Sequence, residues 1–104
     1  MQLTYSQRRR LPKGFYLSQN YPNPFNPSTT IEYDLPRSEW VKVNIYDILG
    51  RKVATLVDAG QAPGSYTVQW NGRDNNGTES ASGVYLCLFQ AGNYRAVKKM
   101  MLLR

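Results

Sequence analysis

Seven carboxylates, one thiol and no imidazole are the groups this chain of 104 residues has for covalent chemistry. Without histidine, no serine or cysteine triad with an imidazole base can be assembled. Histidine-ligated zinc is excluded on the same ground, and one cysteine cannot build a thiolate cage. No glycine loop has the spacing that cradles phosphate. A glycosidase pair would have to come from the seven Asp and Glu. Most of these lie in turns or on the outward positions of alternating stretches, beside Lys or Arg, and none has a neighbourhood that would make it a general base. The expectation is a chain that is not an enzyme and uses neither cofactor nor metal.

Other residues could bind rather than react. Asp74, Asn75, Asn76 and Glu79 offer oxygen atoms to calcium. Their spacing departs from an EF-hand loop, and turn formation accounts for them better. Trp40, Tyr46 and Tyr94 lie in strand-like stretches, where an exposed aromatic row can stack on sugars. Strand propensity and cross-strand packing account for the same residues. Arg8, Arg9 and Arg10, with Tyr5 and Tyr16, carry part of the +6 net charge. No nucleic-acid motif accompanies them, so the expected partner is not nucleic acid; solvated flanks, or an anionic surface, fit the charge. Cys87 lies between Leu86 and Leu88, as a buried and inert thiol would, and has no cysteine to pair with.

These residues must be positioned by strands. Ile31, Tyr33 and Leu35 alternate with Glu32 and Asp34. Val41, Val43 and Ile45 do the same against Lys42, Asn44 and Tyr46, and Tyr66, Val68 and Trp70 against Thr67 and Gln69. Period two marks strands with one buried face. Val84 to Phe89 is apolar on both faces, as a central strand is. Lys52 to Val57 reads as a shorter strand and Asn93 to Leu103 as the last. Leu49-Gly50-Arg51 and Gly92-Asn93 read as hairpin turns, Ala62-Pro63-Gly64 as a turn, and Asn71 to Gly77 as a loop. Pro22 to Pro27 holds three prolines, which cannot be helix or central strand, and reads as an extended corner or edge.

Ala62-Pro63-Gly64-Ser65-Tyr66 and Ala81-Ser82-Gly83-Val84-Tyr85 share a small-x-Gly-x-Tyr pattern, similar to the tyrosine corner of sandwich domains. Lys98 and Lys99 put one charge on each face of the last strand, and Lys on an edge blocks unwanted pairing. No run of about 18 apolar residues is present, so no transmembrane helix is expected. Met1 to Arg10 lacks the apolar stretch of a signal peptide. The fold class predicted is all-β: an immunoglobulin-like antiparallel β-sandwich of about seven strands over residues 15–104. Residues 1–14 are expected to be a basic linker or disordered N-terminal segment.

An ordered set of motifs carries a family resemblance. Leu17-Ser18-Gln19-Asn20-Tyr21-Pro22-Asn23-Pro24-Phe25-Asn26-Pro27 leads into Ser28-Thr29-Thr30-Ile31 and Tyr33-Asp34-Leu35-Pro36. Tyr46-Asp47-Ile48-Leu49-Gly50-Arg51, Leu56-Val57, Pro63-Gly64-Ser65-Tyr66, Trp70-Asn71-Gly72 and Ser82-Gly83-Val84-Tyr85 follow. Lys98-Lys99-Met100-Met101-Leu102-Leu103-Arg104 closes the set. The chain resembles the type A C-terminal sorting domain of type IX secretion, and the related Ig-like domain of the flagellar hook-capping protein.

The resemblance implies a sorting and attachment module that takes a larger exported protein through the outer membrane to the cell surface or medium. The implied partners are an outer-membrane translocon, a surface peptidase and an anionic lipopolysaccharide. The positions carried over are Pro22, Asn23 and Pro24, then Gly83 and Tyr85, then Lys98 and Lys99. Two other readings are a structural assembly domain of the hook-cap kind and a carbohydrate-binding accessory module. A monomer or weak dimer is expected, because edge strands permit weak pairing.

Overall fold

The structure, a computed structural model, describes residues 11–104. The basic cluster Arg8 to Arg10, with Tyr5 and most of the expected linker, lies outside the described residues. Among those described there are seven strands and no helix. They are β1 (Tyr16–Leu17), β2 (Thr29–Leu35), β3 (Glu39–Asp47), β4 (Lys52–Gln61), β5 (Gly64–Trp70), β6 (Gly83–Ala91) and β7 (Tyr94–Leu102).

Two antiparallel sheets result, one ordered β1-β2-β5 and the other β4-β3-β6-β7. The alternation seen in the sequence decides which side chains meet between them. Leu17, Ile31, Tyr33, Leu35 and Trp70 come from the smaller sheet. Val41, Val43, Ile45, Cys87, Phe89, Met100 and Leu102 come from the larger. Fully burying a side chain of this size is worth about 1.5–3 kcal/mol relative to leaving it in water.

The aromatics gather at the two ends of this core. Phe25, Trp70 and Tyr85 meet at one end, with ring centroids 5.7 and 5.1 Å apart. At the other, Tyr33 lies 5.3 Å from Tyr66 and 5.0 Å from Phe89. Phe89 leads on to Tyr94, which stacks on Phe15 at 5.0 Å, and Arg37 sits over the Phe15 ring.

Three details differ from the sequence reading. β4 runs to Gln61 rather than Val57: Asp58 to Gln61 has no large apolar residue to mark a buried face, yet it pairs in regular register with Glu39 to Lys42. β1 was not expected at all, since a strand of two residues has no period to detect. Tyr94 does not join an exposed aromatic row, because its ring turns inward onto Phe15 and Phe89.

β7 is an edge strand, as expected, and β6 is central. No helix among the described residues is long and apolar enough to cross a membrane.

Candidate functional site

The Pro22 to Pro27 stretch lies along the end of β7. Phe25 N–H donates to the Met101 carbonyl and Leu103 N–H donates to the Phe25 carbonyl, each at 3.0 Å. Asn23 Oδ1 accepts from Met101 N–H at 3.0 Å. Phe25 through its backbone and Asn23 through its side chain therefore provide the contacts that a paired strand would make, although three prolines prevent a regular ladder. The Phe25 side chain is only 2% exposed and plugs the core beside Trp70, whereas Pro22, Asn23 and Pro24 around it are exposed.

A small polar network holds the start of this stretch. Asn20, buried, donates through Nδ2 to Thr29 Oγ1 and to the Pro22 carbonyl, and Thr29 Oγ1 donates to that same carbonyl. Gln19 Nε2 donates to Asn20 Oδ1 and, at 2.7 Å, to the carbonyl of Lys99. A buried amide with all partners present fixes one geometry.

Gly83 and Tyr85 face the same end of β7, with Gly83 opposite Leu102 and Tyr85 opposite Met100. Gly83 has φ +153°, which side-chain-bearing residues rarely adopt, and the chain can then turn Tyr85 into the core. The Tyr85 hydroxyl donates to the Ala81 carbonyl at 2.6 Å. The look-alike segment repeats this geometry. Gly64 has φ +154°, and the Tyr66 hydroxyl donates to the Ala62 carbonyl at 2.6 Å. Tyr85 is buried and hydrogen-bonded, so its part is to set the corner rather than to meet a ligand.

Thus Pro22, Asn23, Pro24, Gly83 and Tyr85 converge through Met100 to Leu102. Lys99 lies next to them, exposed on the outer face of the larger sheet. Lys98, half-buried, turns to the inner side. The three ion pairs found among the described residues join Arg37 to Glu39, Arg51 to Asp47 and Arg104 to Glu79. Neither Lys98 nor Lys99 is in them.

Sequence reasoning passed over four residues that build this corner: Gln19, Asn20, Phe25 and Arg104. Arg104 Nε donates to the Ser80 carbonyl at 2.6 Å, its guanidinium also reaches Glu79 and the Gly72 carbonyl, and its N–H meets Ser82 Oγ. These partners are tens of residues away in sequence, so no local pattern announces them. Only Phe25 left a signal: it is the one large apolar residue among turn formers.

The other candidate ligands have structural uses. Asp74 Oδ1 accepts from the N–H groups of Asn76 and Thr78, Asn75 Oδ1 from Thr55 N–H, and Glu79 pairs with Arg104. Among the described residues no group of three or more acidic or cysteine side chains is placed to hold a metal ion. Trp40 is exposed but spends its indole N–H on Asp58. Burial pushes the Cys87 thiol up to about 12, which keeps it protonated and unreactive.

Residues 26–94 match the sequence model of the FlgD Ig-like domain. The chain belongs to the FlgD Ig-like domain family. No curated protein matches it in sequence. Among solved structures, this FlgD-type domain resembles FlgD from P. aeruginosa, with 27% identity and a TM-score of 0.56, over 71% of this chain and 59% of that one. It resembles PorZ, a surface component of the type-IX secretion system of Porphyromonas gingivalis, with 25% identity and a TM-score of 0.57, over 88% of this chain and 12% of PorZ. It shares its fold with latent PorU of Porphyromonas gingivalis at 21% identity and a TM-score of 0.61, over 81% of this chain and 9% of PorU. The FlgD-type domain is thus as long as a small part of PorU or PorZ. Gly83 and Tyr85 lie inside the family-matched stretch, whereas Pro22, Asn23, Pro24, Lys98 and Lys99 lie outside it.

Proposed function

We propose that this FlgD-type domain is a non-catalytic C-terminal sorting and attachment module. It directs a larger exported protein through the outer membrane to the cell surface by type IX secretion. One observation carries the reading. The parts of the chain outside the family-matched stretch, Asn23 to Phe25 and Met101 to Leu103, bond to each other and form one exposed corner beside Lys99. The sandwich uses Phe25, Met100 and Leu102 of this corner for its core, whereas Pro22, Asn23, Pro24 and Lys99 around them stay exposed, as a recognition signal must. The likeness to PorZ supports the same direction.

The outer-membrane translocon is the receptor in this reading. It reads Pro22, Asn23, Pro24, Lys98 and Lys99, while Gly83 and Tyr85 hold the corner in shape. A surface peptidase that cuts ahead of Phe15, and an anionic lipopolysaccharide as the attachment target, complete the proposal.

A second reading has its own support. The family match and the likeness to FlgD at 27% identity favour a structural Ig-like domain that works by assembly.

A reporter decides between them. A periplasmic fluorescent protein carries the domain at its C-terminus in a host with type IX secretion. It is compared with Lys98→Ser/Lys99→Ser, which removes two charges and no core atom. Export of the intact fusion with retention of the variant supports sorting. Retention of both, each folded in the periplasm, refutes sorting and puts assembly ahead.

A further inference from the structure

We propose that the open edge of β7 from Arg95 to Lys99 accepts an extended segment of a partner protein as an added strand. We further propose that it selects a segment reading acidic–x–apolar–x–acidic. The inference stands on the edge itself and does not depend on the sorting reading.

In an antiparallel pair, alternate residues turn their N–H and C=O toward the neighbour or away from it. Met101 turns both away from β6, since they bond to Asn23 and Phe25. By the same period Lys99, Val97 and Arg95 turn theirs away too, and the Gln19 bond to the Lys99 carbonyl agrees. β6 is the only strand that pairs with β7 among the described residues. The Lys99 N–H, and both backbone groups of Val97 and Arg95, therefore have no partner there. A row of open groups at a sheet edge is a template for another strand. The proline corner stops that row at Met101, so an incoming strand has a defined end.

The side chains define what is taken. Arg95, Val97 and Lys99 project on the outer face, and Val97 is 54% exposed. Across the sheet, Arg95 is in register with Gln90 and Lys42, Val97 with Leu88 and Asn44, and Lys99 with Leu86 and Tyr46. The row through Val97 is apolar next to the edge, and at the edge itself it lies between cationic Arg95 and Lys99. Lys42, Arg95 and Lys99 are in none of the ion pairs found among the described residues. An added strand places its own side chains opposite these three, where opposite charges attract and like charges repel. It matches with a carboxylate, an apolar group and a carboxylate. The residues between them fall opposite Ala96 and Lys98, on the other face.

The same charges argue against a second copy of the chain. Two β7 edges paired antiparallel about Val97 would set Arg95 against Lys99 twice. The chain's own stretch of Arg8, Arg9, Arg10 and Lys13 is cationic and equally mismatched.

The test uses the full chain, labelled with nitrogen-15, and two synthetic peptides of one composition. The first is Thr-Glu-Thr-Val-Thr-Glu-Thr, with both Glu on the face of Val. The second is Thr-Thr-Glu-Val-Glu-Thr-Thr, with both Glu on the opposite face. The first should bind with a Kd tighter than about 1 mM, and the second about tenfold more weakly. Binding should slow amide exchange at Arg95, Val97 and Lys99. Arg95→Glu/Lys99→Glu, which alters exposed side chains only, should reverse the preference toward a peptide with Lys in place of Glu. Val97→Pro, which removes an N–H that β6 does not use, should abolish binding while the β6–β7 amides stay protected. Absence of binding at millimolar peptide, equal binding of both peptides, or exchange that slows elsewhere instead would each overturn the proposal.

Discussion

Tyr66 and Tyr85 do the same work at two corners of the sandwich. Each follows a Gly of high positive φ by two residues and donates its hydroxyl to the carbonyl four residues back. This was legible in the sequence because the whole device is local. Tyr85→Phe deletes one such bond at a buried ring and should lower stability by about 1 kcal/mol. Tyr66→Phe should cost less, since water can replace the bond at an exposed hydroxyl. The two rings share no partner, Tyr66 stacking on Tyr33 and Tyr85 meeting Trp70. The double variant should thus lose the sum of the two. Urea unfolding of all three variants measures this, and a neutral Tyr85→Phe would mean that the Ala81 carbonyl is solvated as well without the tyrosine.

Asp47 makes a second prediction at this scale. Its carboxylate caps the β3–β4 hairpin by accepting from the N–H groups of Arg51 and Leu49 and from the Arg51 side chain. The Arg51 N–H above all holds it below the usual carboxylate range. A lowered value in the folded state means that the contribution is complete above the unfolded value, about 3.9. It is lost as pH falls through the lower folded value. Asp47→Asn should therefore flatten the acid limb of a plot of melting temperature against pH. Parallel limbs for the two proteins would show that the hairpin cap is not linked to protonation.

At the scale of elements, the strands with one wet face announced themselves, because period two needs only neighbours to be read. β2, β3 and β5 were visible in this way, while β6 was read from an apolar run with no wet face and β7 as the stretch that follows the Gly92-Asn93 turn. β4 was read short because Asp58 to Gln61 has no large apolar residue, and β1 was invisible because pairing to β2, not its own sequence, makes it a strand. The proline segment was read as an extended corner or edge, but its place beside β7 was not legible, since Asn23 and Met101 are 78 residues apart.

That placement predicts an asymmetry. Phe25→Ala removes a ring that is 2% exposed and should cost about 3–5 kcal/mol. Asn23→Ala removes one exposed hydrogen bond and should cost about 0.5–1.5 kcal/mol. In both variants the Met101 amide should exchange faster, because Asn23 is its acceptor. Only in Phe25→Ala should Leu103 follow, while Met100, bonded toward β6, stays protected. If Leu103 is unaffected in Phe25→Ala, the segment is held by its polar network and not by the aromatic plug.

For the whole molecule, the count of strands implied a sandwich, but not how seven strands divide between two sheets. The division follows from which apolar faces can be buried together, and that depends on every element at once. One consequence concerns how a signal at the end of the chain can be examined. Lys98 to Arg104 contains the two lysines, yet it also contains Met100 and Leu102, which are 1% and 0% exposed. Removing side chains of that kind costs about 2–5 kcal/mol each. Deleting the segment also strips Phe25 of its backbone partners and releases the loop that Arg104 holds. A domain of this size has about 5–15 kcal/mol in total. The chain without Lys98 to Arg104 should therefore be unfolded at 25 °C, with no cooperative melt and with Trp70 moved from a buried environment to water. Loss of export by that truncation would report loss of the fold and would say nothing about recognition. Lys98→Ser/Lys99→Ser keeps Met100, Leu102 and the Phe25 contacts, so its near-ultraviolet circular dichroism should match that of the intact domain. A cooperative melt in the truncated chain would reverse this logic. The sandwich would then be complete at Val97, and the proline corner with the end of β7 would be a separate appendage that can be removed and tested alone.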